Sequence, residues 1–268
     1  MGIVLRDSTF KQLRDFVYEK TGIYIPDSKK YLVESRLTKR VLERNLNTFE
    51  EYLYLIQSNT DSNELLRLYD AITTNETFFF REPRQFDVLV KHIVPRIMQK
   101  QKTVKIWSAA CSTGEEPYTI RMLLIENMFD TVEVIASDIS ESALESARNG
   151  VYGSYSVRNV PEFYLRKYFK NSGQSYELDE VVKKGVRFVN VNLVDEKRMR
   201  FMHDMDVIFC RNVLIYFGEG AKQKALSLLY GCLKPGGFLF IGSSESLHNA
   251  TRAFKPVIID GVIVYQRE

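Results

Sequence analysis

The sequence predicts an α/β protein: a Rossmann-like, mainly parallel sheet closed by a C-terminal antiparallel hairpin, with a small all-helical domain ahead of it and a small subdomain inserted into it. Three observations carry this expectation. From Val104 onward, short β-branched or aromatic runs alternate with helix-length segments, the pattern of βαβ units. The chain closes on Val257 to Ile259, Asp260-Gly261 and Val262 to Tyr265, a hairpin signal because Asp-Gly accommodates positive φ. Ahead of residue 76, apolar residues recur at helical rather than alternating spacing.

Taken in order, Phe10, Leu13, Phe16 and Val17 mark a first helix, Leu32, Leu37 and Val41 a second, Tyr52, Leu55 and Ile56 a third, and Leu65, Leu66 and Tyr69 a fourth. Turn chemistry at Thr21-Gly22, Pro26-Asp27 and Asn45 to Asn47 separates them, and residues 1–75 are expected to form the helical domain. Residues 76–268 form the α/β domain, with strands at Val104 to Ser108, Val132 to Ser137, Val186 to Val191, Asp206 to Cys210 and Phe238 to Gly242. Between Gly150 and Gly185 the alternation breaks into tyrosines, Arg158 and a Gly-Gln-Ser loop, so residues 150–185 are expected to be the inserted subdomain. With 268 residues, 45% hydrophobic and 26% charged, the chain is long enough for a substantial core and has ordinary soluble composition. It has no uncharged apolar run near the roughly 20 residues that span a bilayer, and Met1 to Phe10 lacks the apolar core of a signal peptide, so a cytoplasmic protein without membrane insertion is expected. Cys111, Cys210 and Cys232 are spaced for neither disulfides nor zinc; reduced thiols and no metal site are expected. Basic residues exceed acidic ones by three (37 against 34), too few to argue for a nucleic-acid partner.

Candidate site residues cluster after the strands. Ser108-Ala109-Ala110-Cys111-Ser112-Thr113-Gly114 is a run of small residues that lets the backbone approach a ligand at the carboxyl end of a parallel strand. The absence of G-x-G-x-x-G, and Glu115 and Glu116 at the following helix start, disfavour a diphosphate cofactor. A zwitterionic, sulfonium-bearing cofactor tolerates Glu116, which meets its ammonium either directly or through a hydrogen-bonded neighbour. Asp138 ends the second strand, where a carboxylate meets ribose hydroxyls, although it equally suits a helix cap. Cys210-Arg211-Asn212 and the aromatic Tyr216-Phe217 follow the fourth strand, and Cys210 is read as packing rather than nucleophile. Thr73 to Glu82 combines polar hydrogen-bonders, three phenylalanines and Arg81, too dense a mixture for an ordinary linker.

Together with Leu233-Lys234-Pro235-Gly236-Gly237, these blocks run in order through nearly the whole chain and closely resemble the chemotaxis receptor methyltransferases, which are protein-glutamate O-methyltransferases. The resemblance implies a class I methyltransferase sheet, S-adenosylmethionine as cofactor and S-adenosylhomocysteine as product. It implies that Asn75, Thr77 and Arg81 close over the cofactor, and that Glu116 and Asp138 hold its amino-acid and ribose parts. Asn192 and Leu193 would face the adenine, Ala109, Cys210 and Arg211 would line the pocket, and Tyr216 would stand beside the methyl. Arg81 and Tyr216 are the expected catalytic pair. Rossmann-like methylases of exocyclic amines carry an Asn/Asp-Pro-Pro-Tyr/Phe element after the fourth strand; this chain lacks it, which argues against a base acceptor. The expected partner is the cytoplasmic helical region of a chemoreceptor, met by a monomer through Arg36, Lys39, Arg40 and Arg44, of which 36, 40 and 44 share one helical face. The loop from Asn171 to Ser175 looks too short to assume that the insertion tethers a receptor tail peptide.

Overall fold

The computed structural model describes residues 3–58, 61–248 and 250–268, and the chain divides into two compact units, Met1–Thr74 with Tyr216–Lys222, and Asn75–Ile215 with Gln223–Glu268.

The first unit is helical: α1 (Asp7–Thr21), α2 (Lys30–Glu43), α3 (Phe49–Gln57) and α4 (Ser62–Ile72). Each end has a local cause. Gly22 adopts φ 76° and its N–H closes on the Tyr18 carbonyl, the left-handed cap that ends α1. The Thr48 and Asp61 side chains accept N–H groups of the first turns of α3 and α4. Phe10, Leu13, Val17, Val33, Leu37, Val41, Phe49, Tyr52 and Leu68 are buried on the faces their spacing marks out. The returning segment joins by backbone pairing: Tyr24 N–H donates to the Tyr216 carbonyl (2.8 Å), Gly218 N–H donates to the Gly22 carbonyl (3.1 Å), and Ile23 and Phe217 form an antiparallel bridge. Gly218 lies so close to Tyr18 that a Cβ there would come within 2.6 Å of its ring.

The second unit begins with α5 (Pro83–Val88), which runs through a π-helical turn at Leu89–Ile93 into α6 (Val94–Met98). Then follow β1 (Val104–Ala109), α7 (Glu115–Glu126), β2 (Val132–Asp138), α8 (Glu141–Asn149), β3 (Val151–Tyr152), α9 (Ser154–Val157), α10 (Glu162–Tyr168), β4 (Phe169–Asn171), β5 (Tyr176–Leu178), α11 (Glu180–Lys183), β6 (Val186–Asn190), α12 (Glu196–Met199), β7 (Met205–Cys210), α13 (Glu219–Cys232), β8 (Leu233–Phe240), β9 (Phe254–Ile259) and β10 (Val262–Arg267). Seven strands form one sheet in the order β6-β2-β1-β7-β8-β10-β9; β10 alone runs against its neighbours, as the Asp260-Gly261 turn requires. β1 is flanked by β2 on one side and β7 on the other, so the chain reverses its direction of sheet growth there, which opens a crevice at the carboxyl ends. This is the Rossmann-like sheet with a terminal antiparallel hairpin.

Phe86, Leu89, Ile93, Val104, Ile106, Ile120, Leu124, Val134, Val207, Phe209, Phe238, Phe240 and Val264 form the main core. The segment from Gly150 to Gly185 is a three-stranded antiparallel sheet, β3-β5-β4, with short helices. Its core reaches back to the segment ahead of α5: the ring of Phe79 stands edge-on to Tyr152 (4.8 Å) and Phe169 (5.1 Å) and is fully buried with Tyr118 and Tyr168.

Candidate active site

The register of the strands brings the sequence motifs together. Ala109 stands opposite Ser137 of β2 and Cys210 of β7, and Asp138 opposite Asn190 of β6, so four carboxyl ends lie side by side. The loops they feed are unusually contorted. Ala110 (φ 63°), Ser112 (φ 51°) and Gly114 (φ 95°) turn left-handed after β1, Asn212 (φ 58°) does so after β7, and Phe80 (φ 57°) and Glu82 (φ 59°) do so ahead of α5. Non-glycine residues enter this region at a cost and persist where surrounding contacts hold them, most often at functional sites. Gly114 has no alternative, since a Cβ would lie 2.8 Å from that of Ala147.

Arg211 is the hub. Its side chain is 2% exposed; Nη1 donates to Glu116 (3.0 Å), and Nη2 pairs with Glu82 (3.1 Å) and donates to the Arg81 carbonyl (2.6 Å). Its Nε is buried with no hydrogen-bond partner. Glu116 also accepts from the Ser108 hydroxyl (2.6 Å), so both its oxygens are engaged. Burial raises the Glu116 pKa, and Arg211 and Ser108 oppose that without reversing it. At Glu82 burial acts in the same upward sense, but Arg211 and the N–H and hydroxyl of Ser243 outweigh it and hold the carboxyl below its ordinary value. Gln85, Ser243 and Glu245 were not picked out by the sequence, and Glu82 only as the end of the Thr73-to-Glu82 block, without a role of its own. Glu245 accepts the N–H groups of Asn212 and Gly242 (both 2.8 Å), fixing the loop after β7. An acidic residue 33 positions beyond Asn212 gives no sequence signal for that contact.

Arg81 differs from its neighbours. Its guanidinium lies 5.6 Å from the centre of the Phe78 ring, and no carboxylate among the described residues forms an ion pair with it; the adjacent Glu82 is taken by Arg211. The phenylalanine run is therefore divided, with Phe79 and Phe80 packed in the core and Arg81 left available.

Asp138 accepts N–H groups from Ser112 (2.8 Å) and Ser140 (2.9 Å), so it braces the loop after β1 as well as starting α8. The Asn75 carbonyl accepts from the Ser112 hydroxyl (3.0 Å), tying the segment ahead of α5 to that loop. Thr77 is half-buried in the same segment. Leu193 is buried after β6, and Asn192 accepts the Val194 N–H (3.1 Å). Ala109 and Cys210 are fully buried, and burial pushes the Cys210 thiol well up, away from thiolate chemistry. Tyr216 belongs to the helical unit, is 39% exposed, and is held through its carbonyl by Tyr24. No cluster suited to a metal ion occurs among the described residues.

The donor set fits a compact zwitterion better than a diphosphate: small residues around a left-handed loop, carboxylates at Glu116 and Asp138, and a buried guanidinium already neutralised by two acids. The α2 arginines are engaged elsewhere. Arg40 makes a two-pronged pair with Glu64 (3.1 and 2.6 Å), Arg44 pairs with Asp61 (2.8 Å), and Arg36 donates to the Ile72 carbonyl (2.7 Å) and the Thr74 hydroxyl (3.1 Å). Lys39 pairs only loosely with Glu43 (3.6 Å) and keeps 81% side-chain exposure.

Residues 75–263 match the family described as CheR methyltransferase, SAM binding domain, and residues 8–73 match its all-alpha domain. The chain belongs to the CheR methyltransferase family. It is 38% identical over 259 residues to chemotaxis protein methyltransferase 2 of Vibrio cholerae, covering 94% of this chain and 90% of the relative. The chemotaxis protein methyltransferase of Borreliella burgdorferi is 37% identical (92% and 91% covered), and that of Escherichia coli K12 is 35% identical (94% and 89% covered). This CheR-family protein is thus a chemotaxis methyltransferase that uses S-adenosylmethionine and releases S-adenosylhomocysteine. No helix among its described residues is long and apolar enough to cross a membrane.

Proposed function

We propose that this CheR-family protein works in the cytoplasm, transferring methyl groups to glutamate side chains in the helical cytoplasmic region of chemoreceptors and so forming methyl esters for sensory adaptation. The observation that carries the proposal is the free guanidinium of Arg81, suited to a carboxylate and anchored through its own carbonyl to Arg211. S-adenosylmethionine supplies an electrophilic methyl on a sulfonium. The acceptor glutamate, with an ordinary pKa near 4.3, is already ionised at neutral pH and needs no strong base. The protein's contribution is then alignment, an effect worth up to roughly 7–11 kcal/mol in favourable systems. Arg81 orients the acceptor carboxylate or the cofactor carboxylate, and the Tyr216 hydroxyl donates toward the reacting groups. Glu116 receives the cofactor's amino-acid end through the Ser108 and Arg211 contacts, Asp138 the ribose, and Asn192 and Leu193 the adenine. Asn75 and Thr77 close the segment, and Ala109 and Cys210 form its packed floor. Lys39, highly exposed and only loosely paired with Glu43, is the cation among Arg36, Lys39, Arg40 and Arg44 best placed to meet an acidic receptor helix.

The deciding experiment transfers radiolabelled methyl from S-adenosylmethionine to chemoreceptor-containing membranes and then applies mild base. Volatile label released as methanol from receptor bands is the expected result. Base-stable label, or label on RNA alone, overturns the acceptor.

A further inference from the structure

We propose that the α/β unit carries a second ligand site at the carboxyl end of β8 and the amino end of β10, for a small molecule with an apolar ring and an N–H-donating ammonium group. A cavity of about 490 Å³ lies there, within the range of roughly 300–1,000 Å³ typical of small-molecule sites. It lies beside the cofactor crevice rather than in it: the left-handed loops follow β1 and β7, whereas this cavity adjoins β8 and the hairpin turn and shares only Glu82 with the left-handed segment ahead of α5.

Its walls define the ligand. Ile241, Val262 and Tyr265 supply apolar surface, and Glu82, Gln85 and Glu245 supply acceptors. Gln85 is 7% exposed, and its Nε2 donates to the Ile241 carbonyl (2.8 Å) and to Glu82 (3.1 Å). Those two acceptors fix the orientation of the amide, because the flipped form would set Oε1 against both. Oε1 is thereby left buried with no hydrogen-bond partner among the described residues, so the amide is held as part of the wall and the acceptors offered to an occupant are the carboxylates of Glu82 and Glu245. Glu82 Oε1 accepts only from the Ser243 hydroxyl (3.1 Å) and retains capacity for a second donor. Arg84, the lining cation, donates to the Asp260 carbonyl (2.9 Å) at the rim. An acceptor-rich, acid-bearing wall beside an apolar one selects an aromatic or aliphatic amine over an anion. Glu82 also pairs with Arg211, so an occupant here would touch the same carboxylate that helps hold the cofactor side.

Titration calorimetry on the full chain saturated with S-adenosylhomocysteine tests this, with tryptamine as the probe and indole-3-propionate as its anionic counterpart. The expected result is saturable one-to-one heat with tryptamine, indole-3-propionate at least about tenfold weaker, and tryptamine affinity at least about tenfold lower in Val262→Phe. Ile263→Trp, at a position 56% exposed, repeats the cavity-filling test should Val262→Phe fold poorly, with thermal melting as the check on folding. The proposal is overturned by any of four results: no saturable heat up to about 5 mM tryptamine; the anion binding equally well; unchanged affinity in a folded cavity-filling variant; or heat seen only without S-adenosylhomocysteine, which would place the probe in the cofactor site.

Discussion

The arginines of α2 and those flanking the strand ends look alike in the sequence and differ in what surrounds them. On α2, Arg36, Arg40 and Arg44 face α4 and its C-terminal end, and their charge is absorbed by Glu64, Asp61 and backbone carbonyls. At the strand ends, Arg211 is absorbed in the same way by Glu82 and Glu116, but Arg81 is left with an aromatic ring and no acid among the described residues. A guanidinium with a buried acid partner organises the fold, because separating the pair leaves a desolvated charge; one without a partner is available to a ligand. The comparison thus sorts five similar-looking residues into four that brace and one that can act.

The largest expected effect breaks the bracing side. Arg211→Ala leaves Glu82 and Glu116 without their shared cation and should cost about 3–5 kcal/mol in urea unfolding; a loss under about 1 kcal/mol would show that the network is not structural. Arg81→Ala tests the other side: receptor methylation should fall about a hundredfold or more, while unfolding free energy changes by less than about 1 kcal/mol. Unchanged turnover would remove Arg81 from the chemistry. Glu64→Gln removes the charge that Arg40 and Arg44 share and weakens the acceptor of the Tyr52 hydroxyl (2.9 Å), so a loss of about 2 kcal/mol is expected, seen as faster amide exchange in α2 and α4.

A smaller effect concerns pH. Because the Glu82 carboxyl is held below its ordinary value, its stabilising contribution is fully present above about pH 4.3 and is lost as pH falls through its lowered folded-state value. The stability difference between the wild type and Glu82→Gln should therefore be constant from pH 7 to about 5 and shrink on further acidification; a gap that widens instead would contradict the ion pair. Glu116 acts in the opposite sense, since its raised pKa means that acid relieves part of its burial cost. The smallest effect is at Lys39. Lys39→Glu should leave stability within about 0.5 kcal/mol and slow receptor methylation a few-fold at low salt, the difference fading as salt is added. Reversing Arg40 would be an ambiguous test of docking, because it sets a carboxylate against buried Glu64.

Much of the fold was legible. Short β-branched or aromatic runs placed β1, β2, β6 and β7 to within a residue or so of their observed ends; β1, β2 and β7 lie inside the sheet and are covered on both faces, so they must be almost wholly apolar. The strand of Phe238 to Gly242 instead begins at Leu233 and ends at Phe240; Lys234-Pro235-Gly236-Gly237 carries no apolar pattern, and its extension becomes visible only once Leu233 pairs with Met205. The segment from Thr73 to Glu82 was recognised as significant for its density, yet two of its three phenylalanines proved to be core: Phe79 and Phe80 pack against the inserted sheet, contacts across some 70 to 90 residues that local spacing cannot encode.

Chain order and patterning by themselves determined the βαβ alternation, the terminal hairpin, the helical first unit and the small-residue loop after β1, because each depends on interactions among near neighbours in sequence. Tertiary structure alone decided which charges are free. Glu82, Glu116 and Arg211 are separated by as many as 129 residues, and Glu64 lies 24 from Arg40, so only the closing of the sheet and the packing of α2 on α4 determine that these acids meet those arginines and that Arg81 meets none among the described residues. An ion pair forms at a few ångströms whatever the distance along the chain, and that is the distance a sequence does not contain.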